Sequence, residues 1–167
     1  MRILAVVAIS VAAFAGCSGS SRPGPADTAA ATAPRRVVDE AAHLAHAHYT
    51  DAINSNDIDS LMGMMTDDVV FLAAHSPPIV GKAAVRAWAA AYYDTFKTHW
   101  DKDNKEFVVT GDWAFERYGY RSTDTPKAGG KPVIDTGWGL VIYHHDADGK
   151  WRVARDAFGT DQPLPKP

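Results

Sequence analysis

The stretches EFVVTGDWAFERYGYRS (residues 106–122) and VIDTGWGLVIYHHDADGKWRVARDAF (residues 133–158) decide the fold class of this chain. Aromatic and β-branched residues are concentrated in them, as is typical of strands. Gly, Asp and Pro residues suited to turns separate four such segments. The segments are 106–110, 113–122, 133–145 and 151–158. The second half of the chain is therefore predicted to be a meander of four strands.

The first half of the chain has helical periodicity instead. Apolar residues recur at three- and four-residue steps from Val37 to Ile53, which predicts a long amphipathic helix. A second, short helix is predicted at 58–65, a strand at 69–72, and a third helix after Gly81. Helices followed by a strand meander indicate an α+β domain, with a curved antiparallel sheet wrapped around the long first helix.

The N-terminus has the pattern of an export signal. Arg2 is followed by a short apolar run that ends in AFAGC at residues 13–17, which resembles the lipobox of bacterial lipoproteins. The run is shorter than the ~20 residues that a membrane-spanning helix needs. The resemblance implies a signal peptide at 1–16 and a lipid on Cys17. Ordinary signal cleavage beside an unmodified cysteine is the alternative.

Residues 18–34 contain no apolar side chain larger than alanine, so they are predicted to form a flexible tether. The predicted organisation is a signal peptide at 1–16, the lipidated cysteine and tether at 17–34, one folded domain at 35–162 and a tail at 163–167. The expected location is the cell envelope, secreted and lipid-anchored. The residue after the cysteine is Ser18, whereas some inner-membrane lipoproteins carry an acidic retention signal there. This favours the periplasmic face of the outer membrane in a Gram-negative host.

Composition excludes several classes of function. The 167 residues carry a net charge of −3 without a basic block, so nucleic-acid binding is not expected. The single cysteine excludes an internal disulfide framework and a cysteine zinc site. Phosphate loops, dinucleotide fingerprints and serine nucleophile elbows are missing from the sequence. No cofactor is expected.

Seven histidines raise the alternative of a metal site. His43 and His46 are three residues apart on the predicted first helix, where two ligands can lie side by side, and His48 follows. The spacing is not that of a zinc protease helix, and the paired histidines at 144–145 point to opposite faces of a regular strand. Exposed or core-edge histidines are the preferred interpretation, and no metal is expected.

Four short segments resemble the NTF2-like superfamily and, within it, SnoaL-like (DUF4440) domains. They are YTDAINSNDIDSL at 49–61, TDDVV at 66–70, PIVGKAAVR at 78–86 and GKWRVARD at 149–156. The resemblance implies an NTF2-like cone: a cystatin-like curved antiparallel sheet around a long N-terminal helix, with three helices in all. It also implies a pocket between the first helix, the third helix and the sheet, and a homodimer through the outer sheet face. Members of the superfamily include enzymes and binding proteins, so the fold does not give the reaction.

Ketosteroid isomerases are one branch of this superfamily. They use a tyrosine on the first helix, a carboxylate base after the first strand and a protonated Asp in the sheet. Tyr49 matches the tyrosine, but Leu72 falls at the position of the base and Val141 near that of the sheet Asp. The resemblance therefore implies that this chain does not isomerise steroids by that route.

The candidate ligand-binding groups are polar and aromatic side chains expected inside the cone. A buried carboxylate near tyrosine and histidine can perform acid–base work on a small organic substrate. Glu116 or Asp156 could equally pair with Arg117, Arg152 or Arg155 as structural support. The strand face that lines the pocket stays open, because both faces of 113–121 carry aromatic residues. The candidates are Tyr49, His75, Trp88, Tyr92, Glu116, Trp138, Arg155 and Asp156.

Two functions follow as hypotheses. The first is a lipid-anchored protein that binds a small, largely apolar molecule, with acid–base turnover left open and no catalytic residue assigned. The second is a non-catalytic envelope module whose sheet face contacts other proteins. The expected partners are a small-molecule ligand and a second copy of the chain, with the membrane reached only through the N-terminal lipid.

Overall fold

The computed structural model describes residues 32–163, in which three helices pack on one six-stranded sheet. The elements are α1 Thr32–Asn54, α2 Ile58–Gly63, β1 Met65–Ala73, β2 Ile79–Val80, α3 Lys82–Thr95, β3 Phe96–Thr110, β4 Trp113–Pro126, β5 Val133–His145 and β6 Trp151–Thr160. The predicted signal peptide, Cys17 and most of the predicted tether lie outside the described residues, as does most of the predicted tail. Within the described part of the chain, every helix is too short or too polar to cross a bilayer.

The predicted α+β class is confirmed, and so are the three helices and the four-strand meander. The strand order is β2-β1-β6-β5-β4-β3. The expectation of a wholly antiparallel sheet fails at one pair, because β1 runs parallel to β6. Parallel neighbours need a crossover rather than a hairpin. Here α3 and the three strands β3 to β5 form that connection, which closes the sheet around the first helix.

The strand β3 is longer than the sequence predicts. It begins at Phe96, directly after α3, whereas only 106–110 is predicted as strand. The added residues are mostly charged or polar, which suggests a loop. They nevertheless alternate, with the side chains of Thr98 and Lys102 turned inward and buried while their neighbours face solvent. This alternation brings polar groups into the interior of the cone.

Small residues let α1 lie close to the sheet. Ala42, Ala45 and Ala52 are buried on its inner side, and Tyr49 is buried among them. The end of the helix is tied to β3 because the Asn54 amide donates to the Trp100 carbonyl at 2.9 Å and accepts from its backbone N–H at 2.7 Å. The helix therefore holds Tyr49 at a fixed height above the sheet.

Candidate functional site

A cavity of about 170 Å³, partly open to solvent, lies between α1, α3 and the inner face of the sheet, where the resemblance places a pocket. An engineered cavity of about 150 Å³ holds a benzene molecule, so one ring-sized group fits here. Most of the wall is aromatic. Trp88 stacks with Tyr92 at 5.9 Å between ring centroids, and Trp100 stacks with Tyr120 at 4.5 Å.

A carboxyl group held by two tyrosines reaches this cavity. The Tyr49 hydroxyl donates to Oδ2 of Asp156 at 2.6 Å, and the Tyr118 hydroxyl donates to Oδ1 at 3.1 Å. All three residues line the cavity, and Asp156 is only 3% exposed. These partners are neutral, and among the described residues no cation forms an ion pair with Asp156.

A second buried acid lies in the same sheet but does not line the cavity. The Tyr143 hydroxyl donates to Oε2 of Glu116 at 2.8 Å, and Nδ1 of His46 lies 2.5 Å from Oε1. The Lys102 ammonium lies 3.7 Å from Oε2, with its side chain 1% exposed. It also lies 3.8 Å from the centroid of the Tyr118 ring, which favours a cation energetically.

The two acids are shifted in opposite directions. Burial raises the pKa of the Asp156 carboxyl above its ordinary value, and the charge of Lys102 only partly opposes this. Burial also disfavours ionisation of Glu116, but contacts with His46 and Lys102 outweigh it and lower the pKa of this carboxyl. Burial lowers the pKa of the Lys102 ammonium, against the attraction of both carboxylates.

Strand register explains why both acids face inward. Val141 pairs with Glu116 on one side and with Asp156 on the other, and Phe71 and Phe107 continue the same transverse row. Side chains in one row share a face of the sheet. The acids are therefore fixed two strands apart by backbone pairing.

Two glycines on β5 make room for the tyrosine rings. Gly139 pairs with Tyr118, and a Cβ atom there would overlap that ring. A Cβ atom at Gly137 would come within 2.8 Å of the Tyr120 ring. Both positions therefore require glycine, and the absent side chain of Gly139 lets Tyr118 reach Asp156.

Two further carboxylates line the cavity. The Thr98 hydroxyl donates to Asp124 at 2.5 Å. The hydroxyls of Tyr120 and Thr160 donate to Asp135 at 2.9 Å and 2.6 Å. Neither aspartate stands out in the sequence, since both lie near strand ends where Asp is an ordinary turn-flanking residue.

Comparisons with known proteins agree with this architecture. A family model described as SnoaL-like domain matches residues 45–154. The chain belongs to the SnoaL-like domain family. It is similar to a ketosteroid isomerase-like protein from Erwinia carotovora atroseptica, with 29% identity over 74% of this chain and 96% of that chain and a TM-score of 0.68. No curated protein sequence matches it significantly.

More distant structures share the fold of this SnoaL-like domain. An NTF2-like superfamily protein from Salmonella enterica is 14% identical over 78% of this chain and 96% of that chain, with a TM-score of 0.67. A putative scytalone dehydratase from Novosphingobium aromaticivorans is 16% identical over 78% of this chain and 89% of that chain, with a TM-score of 0.69. The SnoaL-like family match, together with this shared fold, confirms the predicted membership of the NTF2-like superfamily.

The positions aligned with the isomerase residues have distinct environments in this SnoaL-like domain. Leu72 is 46% exposed, and Val141 is fully buried. Acids flank Val141 on both neighbouring strands but do not occupy it. That the chain does not isomerise steroids by the known route stays a prediction.

Four of the eight candidate residues come together on the cavity wall: Tyr49, Trp88, Tyr92 and Asp156. Glu116 is buried in the same row as Asp156, where it contacts His46 and Lys102 instead of the cavity. Whether these side chains bind a ligand stays a prediction.

The other three candidates do not line this cavity. His75 is exposed in the turn after β1, with a φ of 58°. Trp138, which was expected inside the cone, is instead 55% exposed and does not line the cavity. Arg155 donates to a carboxylate oxygen of Asp68 at 3.2 Å. In strands, neighbouring residues point to opposite faces, which separates Arg155 from Asp156.

The alternative that arginines neutralise the two acids is wrong. Arg117 pairs with Glu106, and Arg152 pairs with Asp146 and Asp148. Among the described residues, the ion-pair partners of Glu116 are His46 and Lys102.

Sequence reasoning missed four members of the buried network: His46, Lys102, Tyr118 and Tyr143. The two-residue spacing of Glu116, Tyr118 and Tyr120, which places them on one face of the strand, is a sequence signal for Tyr118.

The three helix histidines do not converge, since His43 packs against Phe107 and His48 is exposed. In the part of the chain with described side chains, no group of His, Cys, Asp and Glu could hold a metal ion.

Proposed function

We propose that this chain is a lipid-anchored, extracytoplasmic SnoaL-like protein that binds a small, largely apolar molecule in the cavity. The observation that carries the proposal is an aromatic cavity of about 170 Å³ with a buried, tyrosine-bound carboxyl group in its wall. Apolar walls with few polar groups are typical of small-molecule sites. The polar groups would orient the ligand, and the stacked rings would contact its apolar part.

Asp156 is the residue that could add acid–base turnover to binding. Its pKa is raised by burial, which brings proton exchange closer to neutral pH, and it lines the cavity. Tyr49 and Tyr118 would position the carboxyl group through their hydrogen bonds, and burial raises the pKa of both hydroxyls, which keeps them protonated as donors. Glu116 does not line the cavity, so its role would be to hold Lys102 and His46.

The cavity is tested by filling it. Ala89 is buried and lines the cavity, whereas Ala91 lies on the exposed side of the same helix. The full chain would be purified from its host in mild detergent, and bound small molecules would be extracted and identified by mass spectrometry. We expect a defined compound with wild type and with Ala91→Phe, and its loss with Ala89→Phe. Equal recovery from both folded variants would contradict binding in the cavity.

The anchor rests on the sequence of residues 2–17 and has its own test. Cells would be fed an alkyne-bearing fatty acid, and the protein would be captured and fractionated with the membranes. We expect label and membrane association for wild type and loss of both for Cys17→Ser. An unlabelled wild-type protein would contradict the lipid anchor and leave the cavity proposal untouched.

A second candidate function is supported by exposed apolar residues on the sheet. Trp138 is 55% exposed, Leu72 46% and Leu140 41%. Such residues are typical of interaction surfaces. We propose that this surface forms a homodimer, or contacts another envelope protein in the non-catalytic alternative. Sedimentation of Leu140→Asp should show a loss of self-association, whereas the exposed helix variant Ala91→Asp should not; a monomeric wild type would contradict the dimer.

A further inference from the structure

The ionisable groups that set the charge of the cavity wall are acidic. Three carboxyl groups line it, those of Asp124, Asp135 and Asp156, and the part of its lining that the structure describes includes no lysine, arginine or histidine. The partners of Asp124 and Asp135 are uncharged hydroxyl and amide groups, and within residues 40–163 neither aspartate forms an ion pair. Lys102 offsets the charge of Asp156 from behind, but it does not line the cavity.

Four hydroxyl protons around the cavity are already used. Tyr49 and Tyr118 donate to Asp156, Tyr120 donates to Asp135, and Thr98 donates to an oxygen of Asp124. Each of these hydroxyls therefore has lone pairs left to accept a hydrogen bond. A ligand that brings its own N–H donors matches this set better than a ligand that brings acceptors.

The aromatic rings add a second attraction for positive charge. Cations within about 6 Å of an aromatic centroid are stabilised by the ring face. The chain already uses two cavity rings in this way, because the buried Lys102 ammonium lies 3.8 Å from the Tyr118 centroid and 4.7 Å from the Tyr49 centroid. The indole of Trp88 and the ring of Trp100 extend the same kind of surface around the cavity.

From these observations we infer that the cavity selects a protonated amine carried on a compact apolar or aromatic group. This inference rests on the proposed small-molecule function and specifies the chemical class of the ligand. The carboxylates of Asp124 and Asp135 would attract the ammonium, the hydroxyls would accept its N–H bonds, and the ring pairs would contact the apolar part. A cavity of this volume limits the apolar part to about the size of one benzene ring.

The test compares benzylamine, which is protonated at neutral pH, with benzyl alcohol, its neutral counterpart of similar shape. Binding of both to the full chain in mild detergent would be measured by calorimetry or ligand-observed NMR. We expect benzylamine to bind about tenfold or more tightly than benzyl alcohol, since charge-assisted hydrogen bonds are roughly twice as strong as neutral ones. The preference should fall as the salt concentration rises.

Variants separate local recognition from the general charge of the protein. Asp124→Asn and Asp135→Asn keep the side-chain shape and an acceptor for the neighbouring hydroxyl, and each should lose most of the preference for benzylamine. Asp94→Asn removes the same charge from the exposed side of α3 and should retain it.

The binding results separate failure of amine selection from failure of the small-molecule cavity itself. Equal or tighter binding of benzyl alcohol would overturn selection for an amine while leaving a small-molecule cavity in place. Loss of the preference in Asp94→Asn as well would assign it to net charge and also overturn the inference. Binding of neither probe to protein shown to be folded by circular dichroism would contradict both the inference and the ring-sized cavity on which it rests.

Discussion

Glu116 and Asp156 are two buried acids in one transverse row of the sheet, with Val141 between them, and they differ in their partners. Glu116 contacts a histidine and a lysine, and its pKa is lowered. Among the residues that the structure describes, Asp156 accepts hydrogen bonds from two tyrosines alone, and its pKa is raised because burial dominates. The comparison teaches that the nearest partners, and not depth alone, decide whether a buried carboxyl holds its charge. Glu116 is suited to stabilising the fold as a charged group, and Asp156 is suited to proton exchange with a ligand.

The largest expected effect comes from removing the cation between the two acids. Lys102→Met keeps the length of the side chain but leaves Glu116 without its buried lysine. We expect unfolding free energy to fall by about 3–5 kcal/mol, as is typical when one member of a buried pair is lost. Urea denaturation of the full chain measures this loss.

Lys97→Met is the matched control, because Lys97 lies on the same strand and is exposed. It should change the unfolding free energy by no more than about 0.5 kcal/mol. An effect of Lys102→Met as small as that would show that Glu116 does not depend on the buried ammonium.

Glu116→Gln should have the next largest effect. The amide keeps an acceptor for the Tyr143 hydroxyl, but it removes the negative charge opposite Lys102 and His46. We expect a loss of about 2–3 kcal/mol, since hydrogen bonds to charged groups contribute more than neutral ones. Combined with Lys102→Met, the two losses should be clearly less than additive. Full additivity would mean that the two side chains are not energetically coupled.

Much of this architecture can be predicted from the sequence, because its signals are local. The alternation of Glu116, Tyr118 and Tyr120 marks one face of a strand, and the three-residue steps around Tyr49 mark the inner side of the first helix. The sequence did not show which face of β4 lines the pocket, because the outer face also carries aromatic residues, Trp113 and Phe115. When the solvent-facing side of a strand is also apolar, apolar and polar residues no longer alternate, and the buried face cannot be read from the sequence.

Lys102 could not be predicted for a different reason. It lies in KTHWDKDNK (residues 97–105), where inward and outward positions are both polar, so a two-residue period in hydrophobicity is hidden. His46 likewise has the same residue type as His43 and His48, and only the packing of α1 on the sheet selects it as the partner of Glu116. The parallel pairing of β1 with β6 also depends on long-range closure that no local pattern encodes.

Asp156→Asn should cost less stability than Glu116→Gln, about 1 kcal/mol, because its partners are neutral: one tyrosine hydroxyl can still donate to the amide oxygen, and the other can accept from the amide NH2 group. On turnover, however, Asp156→Asn should have a larger effect than Glu116→Gln. Any acid–base turnover of a bound ligand should disappear, while Glu116→Gln, in folded protein, should retain it. Melting temperature and turnover of the extracted compound would be measured on the same preparations. Retained turnover in Asp156→Asn would remove Asp156 from the chemistry.

The smallest expected effect is the shape of the stability profile against pH, and the two acids should contribute with opposite signs. The lowered pKa of Glu116 gives stability that is present above its ordinary value of 4.5 and is lost as pH falls through the folded-state pKa. The raised pKa of Asp156 gives stability that is fully present below its ordinary value of 3.8 and is lost as pH rises through the folded-state pKa. Denaturation midpoints between about pH 3 and pH 8 should therefore show a weaker acid-side loss in Glu116→Gln and a weaker decline toward neutral pH in Asp156→Asn. If both variants flattened the same side of the profile, the two acids would share one charge state, and the assignment of proton exchange to Asp156 would lose its physical basis.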